Sequence, residues 1–167
     1  MTSIAPAAEV RKVIVGVDTH KYVHVAVALD GLGARLGERH VQTNREGYAQ
    51  LEAWAASLGR IESFGIEGTG SYGVGLASFL RRAGHRIIEV NRGDRRQRRN
   101  NGKSDTLDAE AAARQVLAGS ATAIPKAADG TVEMIRQLKI AKDTARKGRT
   151  AAIVTLKALL VTAPAEL

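Results

Sequence analysis

An α/β fold, with a mixed five-stranded sheet flanked by helices and followed by a long helical segment, is predicted by three observations. Residues 12–43 carry three strand-like stretches in hairpin succession, and residues 44–90 then alternate helix, strand, helix, strand. That order places helices on the faces of a sheet with both parallel and antiparallel pairs. Residues 131–162 then run with no Gly or Pro except Gly148, and apolar or small residues recur at spacings of three and seven.

Each element has its own signal. Residues 12–19 alternate little and are β-branched, the pattern of a buried central strand. Tyr22 to Leu29 is rich in valine and alanine, and Asp30-Gly31-Leu32-Gly33 reads as a hairpin turn. Arg35 to Thr43 is only weakly apolar, which fits an edge strand. Asn44 can cap a helix that carries Tyr48, Leu51, Trp54, Ala55 and Leu58 inward, with Trp54 in the core, and Gly59 ends it. Glu62 to Glu67 is a short buried strand. Thr69 or Ser71 is expected to cap the next helix, which buries Leu76, Phe79 and Leu80 and stops at Gly84. Arg86 to Val90 is the fifth strand. A polar loop from Asn91 to Lys103 leads to an alanine-rich helix over 105–117. The stretch 131–162 fits one long helix or two, with a narrow seam of Ile135, Leu138, Ala145, Ala152 and Leu159 for a partner helix.

These elements divide the 167 residues into a leader over 1–10, expected to be disordered, a sheet domain over 11–126 and a helical coiled-coil segment over 127–167. Composition narrows the class further. An apolar fraction of 44% with 25% charged residues reads as a soluble globular chain. No run approaches the length of a membrane span, and the first residues have neither a basic nor an apolar signal region. The absence of cysteine excludes disulfides and thiolate zinc sites and is compatible with a cytoplasmic location.

The net charge of +8 is concentrated. Arg92, Arg95, Arg96, Arg98, Arg99 and Lys103 face only Asp94, and seven further basic residues between 133 and 157 face only Glu133 and Asp143. Two basic patches on a near-neutral body fit an extended polyanion. Mutual repulsion and the lack of an apolar face predict that the 92–103 loop orders only on phosphates.

Four acids carry the chemistry. Asp18 ends the run Val13-Ile14-Val15-Gly16-Val17, and Glu67 follows Phe64-Gly65-Ile66. Carboxylates at the ends of buried strands are costly unless a cation neutralises them. Asp105 and Asp108 stand one helical turn apart, in the place where capping and the helix dipole also favour acids. Together the four can hold Mg²⁺ or Mn²⁺ through oxygen, and a pair of such ions supports phosphodiester cleavage. His20 and His24 lie close by in sequence but are set aside as ligands, for want of a second nitrogen donor at metal spacing. Gly68, Gly70, Gly73 and Gly75 fit tight packing of strand on helix better than a phosphate loop, since no Gly-Lys-Ser/Thr follows.

Gly16-Val17-Asp18-Thr19-His20-Lys21, Gly65-Ile66-Glu67-Gly68-Thr69-Gly70-Ser71-Tyr72-Gly73 and Lys103-Ser104-Asp105-Thr106-Leu107-Asp108-Ala109 closely resemble, in order, the motifs of the DEDD-type insertion-sequence transposases. These are relatives of the RuvC Holliday-junction resolvases. The resemblance implies an RNase H-like (RuvC-like) domain with Asp18, Glu67, Asp105 and Asp108 as catalytic metal ligands. It also implies DNA as substrate, a guide (bridge) RNA, a multimer paired through the terminal helices, and a bacterial cytoplasm as location, at the nucleoid when acting. Family members continue into a C-terminal domain that supplies a serine for strand exchange, and nothing in these residues corresponds to it. The chain is therefore expected to represent the N-terminal portion, incomplete for full recombination.

Two other readings follow from the same residues. A nucleic-acid-binding fragment would keep the acids and cleave nothing. An actin-like ATPase or kinase-type domain would share the topology, and Gly16-Val17-Asp18-Thr19 resembles its first phosphate loop, but it needs a second domain for which the chain has no room.

Overall fold

The computed structural model describes residues 10–91, 104–127 and 130–164. The expected disordered leader, apart from Val10, and the whole 92–103 loop lie outside the described residues. The chain forms two compact units, residues 1–126 and 127–167.

The first unit is built on five strands, β1 (Lys12–Asp18), β2 (Val23–Asp30), β3 (Arg35–Gln42), β4 (Arg60–Glu67) and β5 (Ile87–Val90). Their spatial order is β3-β2-β1-β4-β5. The hairpin strands β1, β2 and β3 pair antiparallel, while β1–β4 and β4–β5 pair parallel. This is the mixed sheet of an RNase H-like α/β fold, with the weakly apolar β3 at its edge. The β2–β3 turn is closed by the Asp30 side chain, which accepts from Leu32 N at 2.9 Å and Ala34 N at 2.8 Å. Gly33 in that turn adopts φ 88°, a left-handed conformation that costs glycine nothing.

Strand alternation sorts side chains onto two faces. Val13, Val15 and Val17 of β1 and Phe64 and Ile66 of β4 point to one face. There they meet Leu51 and Ala55 of α1 (Arg45–Leu58) and Leu76 and Leu80 of α2 (Val74–Arg82). Asn44 caps α1 as expected, its side chain accepting from Gly47 N at 2.8 Å. Trp54 packs against this core but is only partly buried, over the edge strand, where its ring lies beside Gly37.

Ile14 of β1, Val25, Val27 and Leu29 of β2 and Ile88 of β5 point to the other face, against Ala109, Ala112, Ala113 and Val116 of α3 (Asp105–Leu117). Gly16 and Gly65 are register partners on β1 and β4 and share this face. A Cβ on Gly16 would stand 2.1 Å from Ala109 O and 2.3 Å from Ala113 N, and one on Gly65 would stand 2.6 Å from Val116 Cγ2. The glycine pair and the helix alanines therefore let α3 lie directly on the sheet. The 105–117 helix can be read from sequence; its depth on the sheet cannot.

The start of α2 corrects an expectation. Neither Thr69 nor Ser71 caps it; Gly73 occupies that position with no side-chain bond. Both hydroxyls are already used. Ser71 Oγ donates to Gly68 O at 3.1 Å within the turn, and Thr69 Oγ1 donates to Glu89 Oε1 of β5 at 2.7 Å. Packing accounts for Gly73 and Gly75, whose added Cβ atoms would meet Ile66 Cγ2 at 3.1 Å and Tyr48 Oη at 2.8 Å respectively.

The second unit is one continuous helix, α4 (Thr131–Thr162), of 32 residues and roughly 48 Å. None of its residues is buried. No described helix is long and apolar enough to cross a membrane.

A candidate metal centre at the strand ends

Asp18 and Glu67 are the last residues of adjacent parallel strands, one step beyond the Val17–Ile66 register pair. The parity that turns Val17 and Ile66 towards α1 and α2 turns both carboxylates towards α3. Both are buried. Thr19 ties the two strand ends together, its Oγ1 donating to Glu67 O at 2.8 Å.

Because α3 rests on Gly16 and Gly65, its first turn arrives over these carboxyl ends, bringing Asp105 and Asp108 with it. Ser104 holds the N-cap position without a side-chain bond. The first-turn acids then lie at the positive end of the helix, which eases their negative charge.

Electrostatics record the convergence. Burial raises the Asp18 carboxyl above its ordinary range, His20 partly offsets this, and the Glu67, Asp108 and Asp105 carboxylates raise it further, to about 6. The other three acids expected from sequence thus lie within electrostatic reach of Asp18, although Glu67 and Asp108 are not in the group whose ligand atoms lie within 4.8 Å of one another. A buried carboxylate facing three others calls for a cation, and the donors present are hard oxygens suited to Mg²⁺ or Mn²⁺.

His20 stands closer to the acids than its sequence position suggests. Its Nε2 lies 3.1 Å from Asp18 Oδ2 and 3.4 Å from Asp105 Oδ2, without hydrogen-bond geometry to either. One ligand atom from each of Asp18, His20 and Asp105 falls within 4.8 Å of the others, which is spacing for a shared ion. The one signal available in sequence is the two-residue offset from Asp18, because a side chain in a tight turn follows no periodic rule.

His24 has a different part. It is fully buried and stacked on Tyr48 with ring centroids 5.8 Å apart, and its Nδ1 accepts from His20 N at 3.3 Å. Burial first, and His20 second, push its pKa down to about 4, so the ring is neutral near pH 7. It steadies the turn that presents His20 and faces away from the acids. Arg92, Arg95, Arg96, Arg98, Arg99 and Lys103 lie outside the described residues.

A mixed sheet with helices on both faces and acids gathered at the carboxyl ends of two parallel strands places the chain in the RNase H-like class of α/β folds. The chain belongs to the IS110-type DEDD transposase family, whose model, described as "Transposase", matches residues 15–163. No curated protein matches the chain.

Proposed function

We propose that residues 11–126 are a catalytic domain for metal-dependent cleavage and transfer of DNA strands in transposition, with Asp18, Glu67, Asp105 and Asp108 holding Mg²⁺ or Mn²⁺. The observation that carries this is the buried Asp18 carboxyl, raised to about 6 amid three further acids from β4 and α3. Bound divalent ions supply activation of the attacking oxygen and stabilisation of the leaving one. The chain's own part is to fix the four carboxylates on two strands and one helix turn, so that little reorganisation is needed on binding. His20 either joins the ligand set or orients Asp18 and Asp105. The test is strand cleavage with Mg²⁺ or Mn²⁺, replacing each acid in turn by its amide. Activity lost in all four variants supports one shared centre. A wild-type chain that binds DNA but cleaves nothing under these conditions would leave the non-catalytic binding fragment.

The arginine-rich 92–103 segment immediately precedes α3, and we assign it to the phosphates of DNA or a guide RNA. Every phosphate that the protein no longer neutralises reduces the slope of log affinity against log salt by about 0.9 for duplex DNA. Replacing Arg95, Arg96, Arg98 and Arg99 with Ala is expected to flatten that slope by roughly three to four and to weaken binding at low salt. An unchanged slope would make the segment plain solvated surface.

Pairing through α4 completes the proposal. Along a helix with 3.6 residues per turn, Leu138, Ala145, Ala152, Leu156 and Leu159 share one strip about 60° wide. Leu138, Leu156 and Leu159 are exposed. Such a strip in water is unfavourable, and burial regains roughly 25 cal/mol per Å². Light scattering is expected to show a dimer or a higher even-numbered assembly, and Leu138→Glu with Leu156→Glu to give monomers. A monomeric wild-type chain would refute the pairing.

A further inference from the structure

Two of the chain's three tyrosines stand in the open beside the acidic cluster. Tyr22 is 69% exposed in the turn after β1, and Tyr72 is 55% exposed in the turn after β4. They follow Asp18 by four positions and Glu67 by five, so the strand ends that place the acids also place the rings. Both line a groove of about 590 Å³ together with Lys21, His40 and two members of the cluster, His20 and Asp105.

Neither ring serves the core, unlike Tyr48. Their backbones are nevertheless pinned. Thr43 N donates to Tyr22 O at 2.9 Å, and Thr43 Oγ1 donates to His20 O at 3.3 Å. On either side of Tyr72, Ser71 N and Gly73 N donate to Gly68 O at 2.9 and 3.0 Å. Lys21 Nζ lies 4.9 Å from the centroid of the Tyr22 ring, setting a cation against that aromatic face. Exposed rings on fixed backbone, with a cation alongside, are the parts of a platform for unpaired bases.

Charge selects the side of approach. The groove on the other flank of Tyr72, about 320 Å³, is lined by Glu67 and Glu89 with no basic residue among its described lining, so it offers a passing strand no cation. The Tyr22 flank carries a single acid, Asp105, with the cation Lys21 beside it.

We propose that Tyr22 and Tyr72 stack on unpaired DNA bases next to the phosphate held at the acidic centre, with Lys21 on a neighbouring phosphate. This rests on the reading of the acids as a DNA-cleaving centre, and deepens it by making an unpaired strand the form in which DNA reaches them. The strand enters between the two rings from the Lys21 side.

The test uses a DNA duplex with a central unpaired segment carrying 2-aminopurine and the same duplex fully paired, titrated with the full chain in chelator. Wild type is expected to bind the unpaired form more tightly and alter 2-aminopurine fluorescence through stacking. Tyr22→Ala and Tyr72→Ala should each lose roughly five- to a hundred-fold for the unpaired form, with little change for the paired one. Tyr22→Phe and Tyr72→Phe should retain wild-type affinity, since the ring rather than the hydroxyl stacks. Equal binding of both DNAs by wild type, alanine variants that bind like wild type, or phenylalanine variants as weak as alanine would each overturn the proposal. So would tighter, ring-dependent binding to a single-stranded RNA of the same sequence. Asp18→Asn separates the two readings, because it is expected to abolish cleavage while leaving the ring-dependent preference. If wild type shows the preference but cleaves nothing, the catalytic reading fails and the platform stands.

Discussion

Asp18→Asn is expected to abolish metal-dependent strand cleavage, by about 10²–10⁴-fold, and at the same time to stabilise the metal-free fold. The first effect follows from the proposed role of Asp18 as a buried ligand at the centre of the cluster, since metal stabilisation of this kind is worth several kcal/mol. The second follows from the carboxyl itself. Its pKa is 3.8 ordinarily and about 6 in the fold, through burial and then the surrounding acids. An acid raised in this way costs nothing below about 4, an increasing amount as pH rises to 6, and its full penalty above that. Removing the charge should therefore restore on the order of 1–3 kcal/mol near neutral pH and nothing near pH 4. His24 titrates across the same window with the opposite sign. Its depressed pKa, about 4 against 6.5, means that the unfolded chain takes up the proton first, and stability falls as pH drops from about 6.5 to 4. Wild type partly cancels the two trends. Asp18→Asn should expose the His24 trend alone, as a melting temperature that falls on acidification more steeply than that of wild type. Parallel pH profiles for the two proteins would contradict this.

Gly16→Ala is expected to be among the most damaging single-methyl changes in the sheet domain, and the one that bears directly on the acids. The new Cβ would stand 2.1 Å from Ala109 O and 2.3 Å from Ala113 N, and helix backbone cannot turn aside as a side chain does. Overpacking of this kind costs about 1–3 kcal/mol or more. A fall in melting temperature of roughly 10 °C is expected for a domain of this size. The only relief is for α3 to lift off the sheet, which moves Asp105 and Asp108 away from Asp18 and Glu67. Metal affinity should therefore fall with stability, although Gly16 carries no ligand atom. Gly70→Ala is the matched control, since its Cβ would meet nothing within 4 Å. If Gly16→Ala melts like Gly70→Ala, α3 does not lie directly on the sheet.

The difference between these two positions shows what is legible in the sequence. The strand order follows from β-branched runs and turn residues. The acids at the ends of Val13–Val17 and Phe64–Ile66 stand out because buried strand ends rarely tolerate charge. Which way each acid faces depends on pleat parity across β1 and β4, and on two glycines whose meaning emerges only once they are paired in register. The start of α2 departs from expectation because Thr69 and Ser71 each have two competing partners, a strand glutamate or a turn carbonyl against the helix amides. His20 carries no comparable signal, because a tight turn has no period from which to infer direction. The same holds for Tyr22 and Tyr72, whose exposure becomes informative only beside the cluster. Trp54 matches the helical spacing of a core residue, yet it lies over the edge strand, where the sheet ends and burial is incomplete.

Thermal melting near neutral pH, first in chelator and then with Mn²⁺, tests most directly whether β1, β4 and α3 build one divalent-cation site. At an ion concentration about a hundredfold above the dissociation constant, binding adds roughly 2.7 kcal/mol to the fold. Wild type is expected to melt lower than Asp18→Asn in chelator and to rise clearly with Mn²⁺, while Asp18→Asn stays nearly unchanged. A wild-type melting temperature that Mn²⁺ does not move, or an equal rise in Asp18→Asn, would contradict a shared metal centre at these strand ends.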